Sequence, residues 1–246
     1  MTNFYVLPQD VDGERVLFRG QEARHLCAVC RKTVGDVVSA VDGQGNELTV
    51  VLERVGPESS VGRVVRLRRK SREPISRVTL AQAITKGGKM DLVVQGGTEL
   101  GVYRFVPMIT EHTVVSPDEL SSAKKRERWQ KITVSAMKQS LRSHLPPVDP
   151  LTNFDQVLLE AGKADLALMA SVVKDARSLD RVFEACKAPR DILLLVGPEG
   201  GFSSQEISQA KQRGIGLVSL GPRRLRAETA GMLLVGLVLF QLGELG

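Results

Sequence analysis

The sequence predicts an α/β protein: a mostly parallel sheet with helices on both faces, preceded by a small amino-terminal β-barrel. Three observations carry this expectation. Residues 1–72 contain short valine- and leucine-rich runs separated by turn signals, with one helical stretch among them. Glu73-Pro74 then interrupts the pattern, since the residue before a proline is pushed out of the helical region. Residues 73–246 alternate apolar runs with segments of helical spacing, the rhythm of a parallel sheet covered by helices. The chain is therefore divided into a barrel over 1–72 and a larger α/β domain over 73–246.

In the first part, Val16–Phe18, Val37–Val41, Leu48–Leu52 and Val61–Leu67 are the strands, and Gln21–Arg31 is the helix. Asp12-Gly13, Gly35-Asp36 and Asp42-Gly43 supply the turns. In the second part, Val78–Ala83 is a strand, Lys89–Leu100 a helix and Phe105–Ile109 a strand. Arg126–Arg142 forms an amphipathic helix with Trp129, Ile132, Thr133, Ala136, Met137, Ser140 and Leu141 on one face, and Lys131, Lys138 and Arg142 off that stripe. Asp165–Met169, Ile192–Val196 and Leu217–Leu220 are further buried strands. The run Met232–Phe240 is too short to span a bilayer and reads as a buried helix.

The 246 residues are 42% hydrophobic, which is ordinary for a globular protein. There are 34 basic and 28 acidic residues, a formal charge of +6. Six basic residues and no acid lie between Arg63 and Arg72; seven basic residues and one acid lie between Lys124 and Arg142. Each run alone is what a solvated face looks like; together they point to a polyanionic partner such as nucleic acid. With only Cys27, Cys30 and Cys186, the chain is no disulfide scaffold and belongs to a reducing compartment, the cytoplasm. Cys27 and Cys30 form a lone C-x-x-C without a second ligand pair, so they read as two small half-buried side chains and no metal is expected. The amino terminus has neither the basic nor the apolar region of a signal peptide, and no membrane association is expected.

Two segments concentrate the chemistry. In Ile192–Ile207 a buried strand runs into a loop with Gly197, Gly200 and Gly201, and a helix follows with Ser203 and Glu206 at capping-box spacing. In Leu217–Ala230 a second strand ends in a glycine loop that carries Arg223, Arg224 and Arg226, followed by Glu228. Glycines let a ligand approach backbone closely, and ligands of open α/β sheets favour the carboxyl ends of strands. Three arginines at such a mouth are costly unless they hold an anion or a carboxylate. The plain structural alternatives are a strand-to-helix turn that needs glycine, and an arginine paired with Glu228.

LVGPEGGFSSQE followed by LGPRRLRAETA resembles the bacterial family that methylates N3 of a uridine in 16S ribosomal RNA, a branch of the SPOUT superfamily. The resemblance runs along nearly the whole chain. His25-Leu26, Arg31, Gly35-Asp36 and Asp42-Gly43 resemble that family's PUA-like amino-terminal barrel. Lys86-Gly-Gly-Lys-Met-Asp91, Thr98–Val102, and Arg128–Ile132 with Gln139 and Arg142 are similar to its further signatures. Arg224, His112 and Lys138 stand where the family usually has an aliphatic residue, an arginine and an acid.

The resemblance implies a carboxy-terminal trefoil knot, a homodimer, and S-adenosylmethionine bound by Leu168, Met169, Ala170, Val196, Gly197, Pro198, Glu199, Gly200, Gly201, Leu220, Gly221, Pro222, Arg224 and Leu225. The implied substrate is 16S rRNA in the assembled 30S subunit, at uridine 1498. Uracil N3 is a poor nucleophile until it loses its proton, so a base or a cation beside the imide is needed. Glu228 is the candidate acceptor and Arg226 the candidate stabiliser. Arg24, Arg31, Arg68, Arg69, Lys70, Lys131, Lys138 and Arg142 are the candidate RNA contacts. A related enzyme acting on a ribose 2′-hydroxyl or another base, and a non-catalytic ribosome-assembly factor, are the alternatives.

Overall fold

The computed structural model describes residues 3–69, 72–114, 119–173, 175–186 and 188–245, with the side chains of all but 119–122. Lys70, predicted to touch RNA, lies outside the described residues. The chain divides into two compact units, residues 1–73 with 134–145, and residues 74–133 with 146–246.

The first unit holds β1 (Phe4–Tyr5), β2 (Val11–Asp12), β3 (Arg15–Arg19), α1 (Gly20–Arg24), β4 (Val37–Val41), β5 (Asn46–Arg54) and β6 (Ser59–Arg69). The sheet order is β1-β4-β5-β6-β3-β2. Flat, β1 and β3 would stand about 19 Å apart, four strand spacings. The rings of Phe4 and Phe18 on those strands are instead 6.1 Å apart, so the sheet curls on itself around Leu26, Leu48, Val50 and Leu52. Past α1 the helix widens into a π turn, His25–Val29, which leaves Cys27 partly buried and Cys30 exposed. The C-x-x-C is thus less covered than expected. Asp42 organises the β4–β5 turn, accepting from the amides of Gln44 (2.7 Å) and Asn46 (3.1 Å).

Residues 134–145 pack with this unit and bring two corrections. The long helix α3 (Glu119–Gln139) stops three residues before Arg142, because Leu141 turns to a positive φ of 62°. Arg142 therefore points inward, 3% exposed, and donates through Nη2 (2.7 Å) and Nε (3.0 Å) to Glu73 Oε2. The other oxygen of Glu73 accepts from the amides of Ser143 (2.7 Å) and His144 (2.9 Å). Lys138, with its ammonium 2.5 Å from Glu22, is also consumed in an internal pair. Neither is available to a phosphate. Helical spacing placed both off the apolar stripe, but could not show that carboxylates from elsewhere in the chain cover them.

The second unit holds β7 (Arg77–Ala83), α2 (Lys89–Leu100), β8 (Arg104–Ile109), the first part of α3, β9 (Thr152–Asn153), α4 (Phe154–Ala161), β10 (Leu166–Ala170), α5 (Leu179–Ala185), β11 (Asp191–Val196), α6 (Ser204–Gln212), β12 (Gly216–Val218) and α7 (Ala227–Gln241). Its strands run in the order β12-β10-β11-β7-β8-β9, and every pair is parallel. The unbroken run on β11 follows from burial on both faces. Ile192, Leu194 and Val196 pack towards α2 and α7, whereas Leu193 and Leu195 pack towards α4 and α6. The short β12 lies between β10 and Arg177, whose amide donates to Leu217 O (2.9 Å). The segment that leaves β10 thus passes along the outer edge of β12.

Candidate functional site

Three neighbouring strands, β12, β10 and β11, end side by side. The loops that leave their carboxyl ends, 171–173, 197–202 and 220–225, surround one cleft, closed by Ile207 of α6 and Ala230 of α7. Its cavity volume is about 190 Å³. The α6 end of the 197–202 loop is fixed by the predicted capping box: Glu206 N donates to Ser203 Oγ (3.2 Å) and Ser203 N to Glu206 Oε2 (2.9 Å). The remaining oxygen of Glu206 accepts from Glu111 N (2.9 Å). His112 then stands over the glycine loop, Nδ1 3.2 Å from Gly201 O.

Glycine is required here for two different reasons. Gly201 and Gly221 adopt positive φ, 72° and 103°, and a Cβ on either would stand in open space. Gly197 is a matter of packing, since a Cβ there would lie 3.1 Å from the carbonyl carbon of Gly201. The cleft thus presents bare backbone at two loops, with Val196, Leu220 and Leu225 as apolar walls. Such a cradle fits an amphipathic cofactor with a flat base, such as S-adenosylmethionine.

Of the residues predicted to hold that cofactor, Leu168, Met169 and Pro222 do not line the cleft. Leu168 and Met169 are fully buried in the sheet and belong to opposite faces of it; only Ala170, at the very end of β10, reaches the opening. Pro222 is exposed at the tip of its loop. Ser171, Val172, Phe202 and Arg223 line the cleft and were missed. The loop after β10 has no glycine to mark it, and its position follows only from strand order.

Glu228 is 6% exposed in the first turn of α7, where the helix dipole favours a carboxylate. The structural alternative pairs it with a nearby arginine; its neighbour is instead Lys89, whose Nζ lies 4.0 Å from Glu228 Oε2. Arg226 is the exposed N-cap residue of α7 and does not line the cleft. Lys89 Nζ also donates to Glu199 Oε1 (2.9 Å), which accepts in addition from Lys86 N (3.3 Å). Burial pushes the Glu199 pKa up, but the Lys89 hydrogen bond and the backbone donors outweigh it and hold the carboxyl below the usual range. Sequence reasoning gave Lys89 no role, although its Lys86-Gly-Gly-Lys setting was noticed. Among the described residues, no group of three or more His, Cys, Asp or Glu side chains could hold a metal. No helix there is long and apolar enough to cross a membrane.

Arg24, Arg31, Arg68, Arg69 and Lys131 are all exposed. The first four belong to the curled-sheet unit and Lys131 to the parallel-sheet unit. No carboxylate among the described residues pairs with Arg66, Arg68 or Arg69 on β6.

A cleft of this kind, at the carboxyl ends of parallel strands, defines a ligand-binding α/β protein, and the same chain carries a curled β unit. Residues 71–239 match the family model of an RNA methyltransferase domain, and residues 18–67 match an RNA methyltransferase PUA domain. The chain belongs to this family of RNA methyltransferases. It is 34% identical over 226 residues to ribosomal RNA small subunit methyltransferase E of Synechocystis, covering 92% of this chain and 73% of the relative. The Bacillus subtilis protein of that name is 30% identical, over 90% of this chain and 88% of its own. Among solved structures, the Neisseria gonorrhoeae protein of that name, bound to S-adenosylmethionine, is 31% identical with a TM-score of 0.84, covering 98% of this chain and 97% of that one. A Legionella pneumophila methyltransferase in complex with the same cofactor gives 31% and 0.85, with the same coverage.

Proposed function

We propose that this protein methylates N3 of a uridine in 16S ribosomal RNA, position 1498 in the usual numbering, on assembled small subunits. The observation that carries this reading is the cleft: bare backbone on two loops beside a helix that buries a carboxylate, Glu228, two residues before the lining residue Ala230. Relatives named for small-subunit rRNA methylation, and neighbours holding S-adenosylmethionine, support it.

The backbone of Gly197–Gly201 and of Leu220–Leu225, with Ala170, Val196 and Arg224, would hold the cofactor. When bound, S-adenosylmethionine supplies a methyl group already activated by its sulfonium centre. Glu228 accepts the N3 proton of uracil; it stands close to the cleft and is shielded from water. Arg226, exposed at the N-cap of α7, holds the incoming nucleotide. Arg24, Arg31, Arg68, Arg69 and Lys131 meet RNA phosphates. The passage of β12 between β10 and Arg177 supports a carboxy-terminal trefoil knot, a rare exception to chain topology. Leu233 and Phe240, seven residues apart on α7 and 37% and 65% exposed, are the face offered to a second copy in a homodimer.

The test is nucleoside mass spectrometry of 16S rRNA from cells lacking the protein. 3-Methyluridine should disappear and return on complementation. A missing 2′-O-methylated nucleoside in its place would overturn the reading.

A further inference from the structure

Three side-chain atoms near the ends of β7 and α7 are buried without a hydrogen-bond partner: Gln82 Oε1, Thr85 Oγ1 and Glu228 Oε2. Gln82 ends against α7, since a Cβ on Gly231 would stand 2.5 Å from its Oε1. Lys89 is the cation of this region. It is the first residue of α2, where the helix dipole disfavours positive charge, and it is held there by Glu199 at 2.9 Å and Glu228 at 4.0 Å. The second distance is too long for a hydrogen bond, so donors on Nζ remain unfilled on the side of Glu228. The Lys89 side chain keeps 31% exposure.

We propose that Lys89 is a further catalytic residue, its ammonium donating to a uracil carbonyl oxygen as charge develops on the imide. This rests on the methylation reading above. In the proton step the N3–H bond breaks, its electron pair stays on the ring, and the proton joins the Glu228 carboxylate. The negative charge thus moves from one neighbour of Lys89 to another, and the cation follows it without any change in the total charge of the site. A donor already in place for the developing charge is the most effective kind of electrostatic catalysis. Arg226, assigned this task from sequence, is exposed, whereas Lys89 stands beside the buried Glu228 carboxylate; neither cation is among the residues that line the cleft.

The test uses Lys89→Met, Lys89→Arg and Glu228→Gln in the full-length protein, with small subunits carrying uridine or 5-fluorouridine at the target. Fluorine at C5 withdraws electrons and makes the N3 proton easier to remove. Calorimetry should find S-adenosylmethionine affinity within about threefold of wild type for each variant. Single-turnover methylation of the uridine substrate should fall by about a hundredfold in Lys89→Met and less in Lys89→Arg. Fluorouridine should restore much of that loss in Lys89→Met and in Glu228→Gln, which a merely structural role would not allow. Loss of cofactor binding in both Lys89 variants, or no rescue by fluorouridine, overturns the proposal. If wild type itself forms no 3-methyluridine, the methylation reading fails and the proposal with it; loss confined to the variants without fluorouridine rescue overturns the proposal alone.

Discussion

Two sets of cations behave in opposite ways. On β6, Arg66, Arg68 and Arg69 are exposed and meet no carboxylate among the described residues. On and after α3, Lys138 and Arg142 are drawn against Glu22 and Glu73 and are largely hidden. In sequence the two runs look alike, each dense in lysine and arginine and poor in acid. The difference is that the partners of the second set come from residues distant in sequence, so local charge counting overstates the surface available to RNA. A cation is free for a polyanion only if folding has not already neutralised it.

The largest effect should come from the buried pair. Arg142→Ala leaves Glu73 without its cation in a nearly closed site, and should cost about 3–5 kcal/mol of stability in denaturant unfolding. If Arg142 instead served RNA, stability would be nearly unchanged and ribosomal affinity would fall.

Next in size is the exposed set. Replacing Arg68 and Arg69 with glutamine should leave unfolding unchanged and lower the salt slope of binding to small subunits by about 2, roughly one per lost phosphate contact. An unchanged slope measured from 50 to 200 mM salt, the range where counterion release is pronounced, would place the RNA on another surface.

Smallest is the change at Glu199, a partly exposed carboxylate that holds Lys89. Its pKa is lowered in the folded protein, so its stabilising contribution is complete above the ordinary glutamate range. That contribution is lost as pH falls through the lowered value. The gap in Tm between wild type and Glu199→Gln should therefore be small, constant near neutral pH, and closed in strong acid. A gap that widened towards acid would contradict the direction of the shift.

Much of the architecture was legible before folding. The valine and leucine runs mark the strands, because a segment buried on one or both faces must be apolar at the period of its backbone. The helix Lys89–Leu100 falls on its predicted residues, and the glycine loops fall where two strands end, because turns with positive φ select glycine. The motifs also pointed to the family, since both loops and the segments around them carry its pattern. Only the tertiary structure decided what lay between distant residues. It placed β10 between β11 and β12, which opened the glycine-free loop after Ala170 onto the cleft and buried Leu168 and Met169. It gave Glu228 to Lys89 rather than to the nearby Arg226, and turned Arg142 inward through the left-handed residue Leu141. Periodicity reports which way a residue faces within its own element; which charge or backbone it then meets depends on strand order and crossover, and no local pattern encodes those.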